Sequence, residues 1–171
     1  MAELQQLRAD HADAVLAFER ANRAWFAASI SDRGDEYFER FPDGFRALLA
    51  DQDAGHGAYY VLVAPDGSVL GRFNLFLDGG SGDGGSGDGV ANLGYRVAQH
   101  AAGQGLATAA VRELCPLAAS RHGVHTLRAA TSNGNVASQR VLIKAGFEPA
   151  GPADPADVGG KPGVWFERAV S

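Results

Sequence analysis

The segment from Val90 to Cys115, VANLGYRVAQHAAGQGLATAAVRELC, passes from an apolar, strand-favouring run through Gly103 and Gly105 into an alanine-rich run that favours a helix. This junction constrains fold and ligand together, because the first N–H groups of a helix are unpaired and its dipole attracts anions. Three interpretations are consistent with it: a loop that cradles phosphates, a Rossmann-type dinucleotide turn, or an ordinary tight turn without a ligand.

Two known phosphate-binding patterns fail at this turn. The Rossmann pattern needs a third glycine where Thr108 stands and an acidic residue at the end of the next strand. The strand predicted from His125 to Thr131 ends without such a residue. The P-loop pattern fails because no Gly-Lys-Ser/Thr follows the glycines. A turn that binds phosphate through backbone amides requires none of these residues, and it suits a chain of negative net charge.

The composition limits the class of protein. With 171 residues and 46% hydrophobic content, the chain has enough apolar residues for one core, so we expect a single domain over residues 1–171. The net charge is −5 without any run of Lys or Arg, which argues against a nucleic-acid partner. Glu3 and Arg8 come too early for a signal peptide, no apolar run reaches membrane-spanning length, and Cys115 is the single cysteine. We expect a soluble, cytoplasmic monomer or homodimer that binds no membrane.

Periodicity and turn residues predict the secondary structure. The predicted helices are Asp10–Ala28 with Asp10 as N-cap, Asp35–Gly55 interrupted at Pro42 and Gly44, Gly105–Gly123, and Asn135–Ala145. The predicted strands are Tyr59–Ala64, Val69–Leu77, Val90–Val97, His125–Thr131 and Gly163–Val170. This order indicates a mixed sheet with helices on its faces.

Several local features refine that prediction. Pro65-Asp66-Gly67 is a turn signal that makes the first two strands a hairpin. Pro116 is expected to kink its helix or to start a new turn, and Gly146 is expected to end the last helix in the left-handed conformation, with Phe147 folding back. The glycine-rich residues 78–89 have no side chains able to pack a core and are predicted to be a flexible insert.

The glycine turn and its neighbours resemble those of the GNAT superfamily of acyl-CoA N-acyltransferases. The matching run is His100-Ala101-Ala102-Gly103-Gln104-Gly105, with His100 in place of the family's Arg or Gln. The segments NLGYRV before it, and NVAS and VLIKAGF after it, follow in the family's order and spacing. The segments GRFNL and NRAWF make the chain most similar to the branch that acetylates the N-terminal amines of ribosomal proteins.

The resemblance implies a fold, a cosubstrate and a set of site residues. The implied fold is α/β (α+β), with a mixed, mostly antiparallel sheet and helices on both faces. The sheet is splayed between the family's fourth and fifth strands, which correspond here to Val90–Val97 and His125–Thr131. Acetyl-CoA is the implied cosubstrate, and no metal is needed. The residues that the resemblance assigns to the coenzyme are Tyr95, Val97, His100, Ala102, Gly103, Gln104, Gly105, Leu106, Ala107, Asn135 and Ser138.

For the chemistry, we expect direct attack of an amine on the thioester. A backbone N–H of the Tyr95–Val97 strand would hold the thioester oxygen, and Ser138 would donate a proton to the sulfur. Asn92 stands where many relatives carry Glu, so the base is either Glu36 acting through water or none, with the amine arriving deprotonated. His100 is either a phosphate contact when protonated or an exposed loop residue.

The acceptor pocket is predicted to include Trp25, Asn74 and Asn92, because a polar residue in an apolar strand must find a partner or face a cavity. Trp25 has a competing interpretation as a core residue. The acceptor is expected to be a protein N-terminus or a small-molecule amine, and the negative net charge slightly favours a cationic one. The alternative function is a non-catalytic acyl-CoA-binding or regulatory module. Asn92 supports this alternative, because it stands where many relatives carry the Glu that acts as a base.

Overall fold

The computed structural model of the chain describes residues 1–77, 89–158 and 160–170. Apart from Gly89, the predicted flexible insert of residues 78–89 lies outside these ranges. The strands are β1 (Glu3–Gln6), β2 (Gly57–Val63), β3 (Val69–Phe76), β4 (Val90–Val97), β5 (Thr126–Ser132), β6 (Glu148–Ala153) and β7 (Gly163–Ala169). The α-helices are α1 (Ala12–Ala21), α2 (Arg23–Ala27), α3 (Asp35–Glu39), α4 (Phe41–Asp53), α5 (Leu106–His122) and α6 (Val136–Lys144).

The strands form a seven-stranded sheet in the order β1-β2-β3-β4-β5-β7-β6. β1 pairs antiparallel with β2, and β7 pairs antiparallel with both β5 and β6. β4 and β5 run parallel, and the chain between them forms α5, as a parallel connection requires. The predicted mixed, mostly antiparallel sheet flanked by helices is confirmed.

The chain divides into two compact units, and each has its own packed interior. Unit 1 comprises Met1–Asn74 and Tyr95–Ala102, and unit 2 comprises Leu75–Gly94 and Gly103–Ser171. In unit 1, α4 packs on α1 and on β2. Its buried apolar side chains include Val15, Phe18, Phe26, Phe41, Phe45, Tyr60, Val61 and Phe73. The interpretation of residues 1–171 as one domain stays a prediction.

In unit 2, α5 and α6 pack against each other. The buried face of α5 is made of Ala110, Val111, Leu114, Cys115 and Ala118. These residues recur every three to four positions, which is the spacing that keeps side chains on one face of a helix. Leu142 of α6 and Phe147 beyond it are also buried, so the end of α6 is anchored in the same interior.

The structure differs from the predicted elements at both sheet edges and within the first two helices. β1 and β6 were not predicted, because ELQQ lacks alternation and EPAGPA holds two prolines. Both are edge strands, where missing apolar alternation and proline are tolerated.

The first predicted helix is broken at Asn22, which is buried. Its amide donates to the Phe18 carbonyl, and its Oδ1 accepts from the Gln99 N–H at 2.9 Å. The prediction of Asp10 as N-cap is wrong, since Asp10 lies in a 3₁₀ turn (Ala9–His11) that precedes α1.

Two predicted proline effects also differ. The break in the second helix falls at Arg40, and Pro42 lies in the first turn of α4, where its missing N–H costs nothing. α5 continues through Pro116 as one helix, so no new turn starts there, and the alternative of a kink stays a prediction.

Candidate active site

The predicted phosphate turn has the backbone that its glycines require. Gly103 and Gly105 have φ values of 75° and 76°, and Gly105 is the left-handed N-cap of α5. At both positions nothing lies within 4 Å of where a Cβ would stand, so the glycines serve conformation and leave open space above the backbone. By helix geometry the amides of Leu106 and Ala107 lack an intrahelical acceptor. This arrangement in unit 2 is suited to holding an anion.

The segment that leads into this turn belongs to unit 1 and forms a 3₁₀ turn (Gln99–Ala101). Ala102 N–H, which was predicted to face the pyrophosphate, donates to the Gln99 carbonyl at 3.2 Å. The structure therefore differs from the prediction at Ala102, whose amide is used within the turn. His100 is exposed, which both of its interpretations allow, and it lines an open cavity of about 460 Å³ along α1.

The structure brings together Trp25 and Val97, which were assigned to different ligands. The Trp25 indole Nε1 donates to the Val97 carbonyl at 3.3 Å, and Trp25 is 40% exposed. Tyr95, two residues earlier on β4, stacks on Phe73 with ring centroids 5.6 Å apart. The end of β4 thus carries two aromatic contacts within unit 1.

Asn135 and Ser138 are held together at the start of α6. Asn135 is the N-cap of that helix, and its Oδ1 accepts from the Ser138 N–H at 3.3 Å. The Gln139 amide donates to the carbonyls of Ser132 and Asn133, which ties the start of α6 to the end of β5. The spacing of Asn135 and Ser138 therefore has a structural cause, and the contact holds the backbone at Ser138.

The parallel pairing of β4 and β5 is short. It runs from Val90 and Thr126 to Asn92 and Arg128, although both strands continue beyond these residues. Further along β5, Thr131 is 5% exposed, and its Oγ1 has no hydrogen-bond partner among the described residues. Sequence reasoning missed Thr131, and the available signal was strand alternation, which places it on the same buried face as Leu127 and Ala129.

The remaining predicted residues are placed as follows. Asn74 on β3 and Asn92 on β4 are both half-buried. The side chain of Glu36 is 77% exposed and pairs with Arg40 on the next turn at 3.4 Å. Its surroundings are those of a surface ion pair.

Sequence reasoning also missed a buried carboxylate in unit 1. Glu19 is 1% exposed, and three arginines contact it: Arg33 Nε at 3.0 Å, Arg72 Nη1 at 2.7 Å and Arg96 Nη1 at 3.0 Å. Arg72 also donates to the Tyr37 hydroxyl at 3.2 Å. The signal in the sequence was a charge on the apolar face of α1, one residue after Phe18, which demands a partner.

The electrostatics of this cluster are unbalanced. Burial raises the pKa of Glu19, but the hydrogen bond from Arg33 and the three guanidinium charges outweigh it, so the pKa lies below its ordinary value. Burial lowers the pKa of Arg96, and so does repulsion from Arg33 and Arg72. Phe26 lies under the Arg96 guanidinium, 4.6 Å from ring centroid to Cζ.

The part of the chain that the structure describes is residues 1–77, 89–158 and 160–170. In these ranges, no group of three or more His, Cys, Asp and Glu side chains is placed to hold a metal ion. Among the same residues, no helix is both long and apolar enough to span a membrane.

Residues 2–148 match the model of the acetyltransferase (GNAT) domain. No curated protein sequence matches the chain. Many solved structures do match in fold, and three of them illustrate the range.

The first is a ribosomal-protein alanine acetyltransferase from Vibrio fischeri, with 16% identity, 99% of this chain and 93% of that chain covered, and a TM-score of 0.86. The second is RimJ from Mycobacterium smegmatis in complex with a CoA-disulfide, with 21% identity, coverage of 98% and 81%, and a TM-score of 0.81. The third is an aminoglycoside acetyltransferase in complex with coenzyme A, with 24% identity, coverage of 99% and 95%, and a TM-score of 0.75. At these identities the likeness establishes the fold.

Proposed function

The chain belongs to the acetyltransferase (GNAT) family, whose domain model covers residues 2–148, and from this premise we propose that it moves an acetyl group from acetyl-CoA to a primary amine in a ternary complex. The predicted family is thereby confirmed. The acceptor we propose is a protein N-terminus or a small-molecule amine. Solved relatives of both kinds share the fold, namely the ribosomal-protein and the aminoglycoside acetyltransferases.

The observation that carries this proposal is the glycine turn at the start of α5. Gly103 and Gly105 hold left-handed φ values with open space beside them, and the first amides of a helix of 17 residues follow. Backbone amides at a helix N-terminus bind a pyrophosphate without requiring a basic side chain. We assign the pyrophosphate of acetyl-CoA to the amides of residues 103–107.

We assign the pantetheine arm to polar groups of residues that the family resemblance gives to the coenzyme. In unit 1 these are the backbone groups of Tyr95 and Val97 at the end of β4. In unit 2 they are Asn135 and Ser138 at the start of α6. The Thr131 hydroxyl is a further candidate, because an orphaned buried hydroxyl is a group that a bound ligand would satisfy.

The proposed mechanism is direct attack. The neutral amine nitrogen forms a bond to the thioester carbon, a backbone N–H of the Tyr95–Val97 segment stabilises the oxyanion, and the C–S bond then breaks. Ser138 donates a proton to the departing thiolate, the amine proton passes to water, and Ser138 takes its proton back from that water. Because Glu36 is an exposed partner of Arg40, we favour an amine that arrives already deprotonated.

The remaining predictions from the sequence stay predictions. They are a cytoplasmic location, a monomer or homodimer, no nucleic-acid partner, and roles for Trp25, Asn74 and Asn92 toward the acceptor and for His100 and Gln104 toward the coenzyme. The alternative function also stays: a module that binds acyl-CoA without catalysing transfer.

The test is calorimetric titration with acetyl-CoA, followed by a thiol-release assay over an amine panel. Wild type should bind, and Gly103→Glu should not, because its carboxylate would repel the pyrophosphate. Gly44→Ala in α4 is the matched control, since nothing lies within 4 Å of its added Cβ. Absence of binding by the wild type would overturn the proposal. Binding without thiol release from any amine would support the non-catalytic module instead.

A further inference from the structure

The cluster of Arg33, Arg72 and Arg96 around Glu19, called the arginine cluster below, carries more positive than negative charge. In the described part of the chain, every ion pair made by these three arginines goes to Glu19. Three guanidinium groups therefore share one carboxylate. Buried charges in proteins are normally paired, so this surplus requires an explanation.

The geometry shows where the surplus lies. Arg33 takes both oxygens of Glu19, with Nε to Oε1 at 3.0 Å and Nη2 to Oε2 at 3.3 Å. That two-point contact is the arrangement that neutralises a carboxylate most completely. Arg72 and Arg96 each add one contact through Nη1 to an oxygen already engaged. Each of these two guanidinium groups keeps further N–H donors for which no second carboxylate is present in the cluster.

A ligand from solvent has access to part of the cluster. The side chain of Arg33 is 28% exposed and that of Arg96 is 16% exposed, whereas Arg72 is 4% exposed. Arg96 lies next to Val97, whose carbonyl accepts from the Trp25 indole. Arg96 is therefore the neighbour on β4 of a residue that contacts Trp25, which was predicted to line the acceptor pocket.

We propose that the arginine cluster binds a carboxylate of the acceptor, so that the preferred substrate is an amine that also carries an acidic group, such as a peptide with an acidic residue near its free N-terminus. The acceptor role rests on the proposed function, whereas the binding of a carboxylate does not. A carboxylate is the matching anion because Glu19 already shows these guanidinium groups in carboxylate geometry. The negative net charge of the chain acts at long range and attracts cationic acceptors to the protein as a whole. The specificity of one site depends on its own charges, and at this site arginines are in excess.

The first experiment measures binding without turnover. The melting temperature is followed with glutarate, with its uncharged analogue glutaramide, and with sodium chloride at matched ionic strength. Glutarate alone should raise the melting temperature in a saturable way. In Arg96→Gln, the glutarate concentration that gives half of the full rise in melting temperature should be about tenfold higher, as expected for the loss of a charged hydrogen bond. Equal effects of glutarate and chloride would overturn the proposal, and so would tighter binding of inorganic phosphate.

Two further variants make the binding result specific. Arg20→Gln removes the same charge from the exposed side of α1 and should leave the glutarate response unchanged. Arg33→Gln alters the most exposed member of the arginine cluster and provides a second variant if Arg96→Gln does not fold. A loss of response in Arg20→Gln equal to that in the cluster variants would show a general charge effect and overturn the proposal.

The second experiment measures preference among acceptors at saturating acetyl-CoA. Amidated peptides with a free N-terminus are compared in pairs that differ only by Glu or Gln at the second, third or fourth position. The best Glu peptide should exceed its Gln partner in kcat/KM by about tenfold in wild type, and the two should be nearly equal in Arg96→Gln. Transfer without that preference overturns this inference and leaves the proposed function standing. Binding of glutarate without acetyl transfer to any peptide would overturn the proposed function and leave the carboxylate site standing.

Discussion

Arg33 holds both oxygens of Glu19, and the contact joins the last turn of α1 to the segment between α2 and α3. Arg72 of β3 and Arg96 of β4 reach the same carboxylate, so one buried side chain of α1 connects two strands and the segment before α3 in unit 1. The guanidinium of Arg33 also lies over the Tyr37 ring at 4.7 Å. Removing the Glu19 charge would therefore leave three arginines facing one another.

We expect Glu19→Gln to lower the free energy of unfolding at pH 7 by about 3–5 kcal/mol, the usual cost of breaking a buried ion pair. Because the pKa of Glu19 lies below its ordinary value of 4.5 in the folded state, its stabilisation is complete above that value and is lost as the pH falls below it. The difference between wild type and variant should therefore shrink below pH 4.5 in urea unfolding experiments. Glu39→Gln, on an exposed position of α3, should change stability by less than about 0.5 kcal/mol. Similar losses in the two variants would contradict the role of Glu19.

The sequence predicted those helix ends and turns whose conformation depends on residues close together in the chain. Gly146 has a φ of 92°, and Phe147 N–H returns to the Leu142 carbonyl, as expected for a left-handed helix end. The hairpin turn forms at Pro65-Asp66-Gly67, the residues that predicted it, and the Gly67 N–H donates to the Ala64 carbonyl. In each case the determining residues lie within a few positions of one another.

Features that depend on distant residues were not predictable in the same way. β6 exists because β7 pairs with it, and its proline-rich sequence gives no strand signal of its own. The arginine cluster joins residues 19 and 96, which are separated by most of unit 1. The sequence could show that Glu19 needed a partner, but it could not show that three arginines would supply it.

Acid should destabilise the protein through His11 in a range above the titration of the carboxylates. His11 is buried, its Nδ1 accepts from the Arg8 N–H at 2.9 Å, and Nε2 lies 3.0 Å from Gln5 Oε1. Burial, followed by the charge of Arg8, lowers its pKa from the ordinary 6.5, so the unfolded chain takes up the proton first as the pH falls. Stability should decline below pH 6.5, as measured by urea unfolding at pH 7.5 and 5.5. His11→Asn, which keeps an acceptor but does not titrate, should show a smaller decline, and an equal decline would exclude His11 as the cause.

Gly105→Ala should weaken acetyl-CoA binding through the backbone alone. Nothing lies near the added methyl group, so its cost is the left-handed φ of 76°, about 1–2 kcal/mol for a residue with a Cβ. The turn can escape that cost by moving, and the affinity measured by calorimetry should fall about tenfold. Gly44→Ala lies in a helix and should bind normally while gaining up to about 1 kcal/mol of stability. Unchanged affinity in Gly105→Ala would show that the turn does not hold the pyrophosphate.

Ser138→Ala should reduce kcat while leaving the affinity for acetyl-CoA nearly unchanged. The backbone N–H of residue 138 would still donate to Asn135, so the start of α6 should keep its conformation. A positioned proton donor contributes about 10²-fold or more to the rate. Steady-state kinetics with an assigned amine would measure the loss. Full turnover in the variant would remove Ser138 from the mechanism and leave water as the proton donor.

Acetyl-CoA should change the fluorescence of Trp25. Its indole donates to the Val97 carbonyl, and we have assigned the backbone of that segment to the pantetheine arm, so a pantetheine N–H would compete for the same acceptor. The chain has two tryptophans, and Trp165→Phe leaves Trp25 as the single reporter. Its emission should shift with the same dissociation constant that calorimetry gives, whereas Trp25→Phe should bind acetyl-CoA without that signal. If Trp25 emission stays constant while calorimetry detects binding, the coenzyme does not reach the Val97 carbonyl, and the pantetheine arm must be assigned elsewhere.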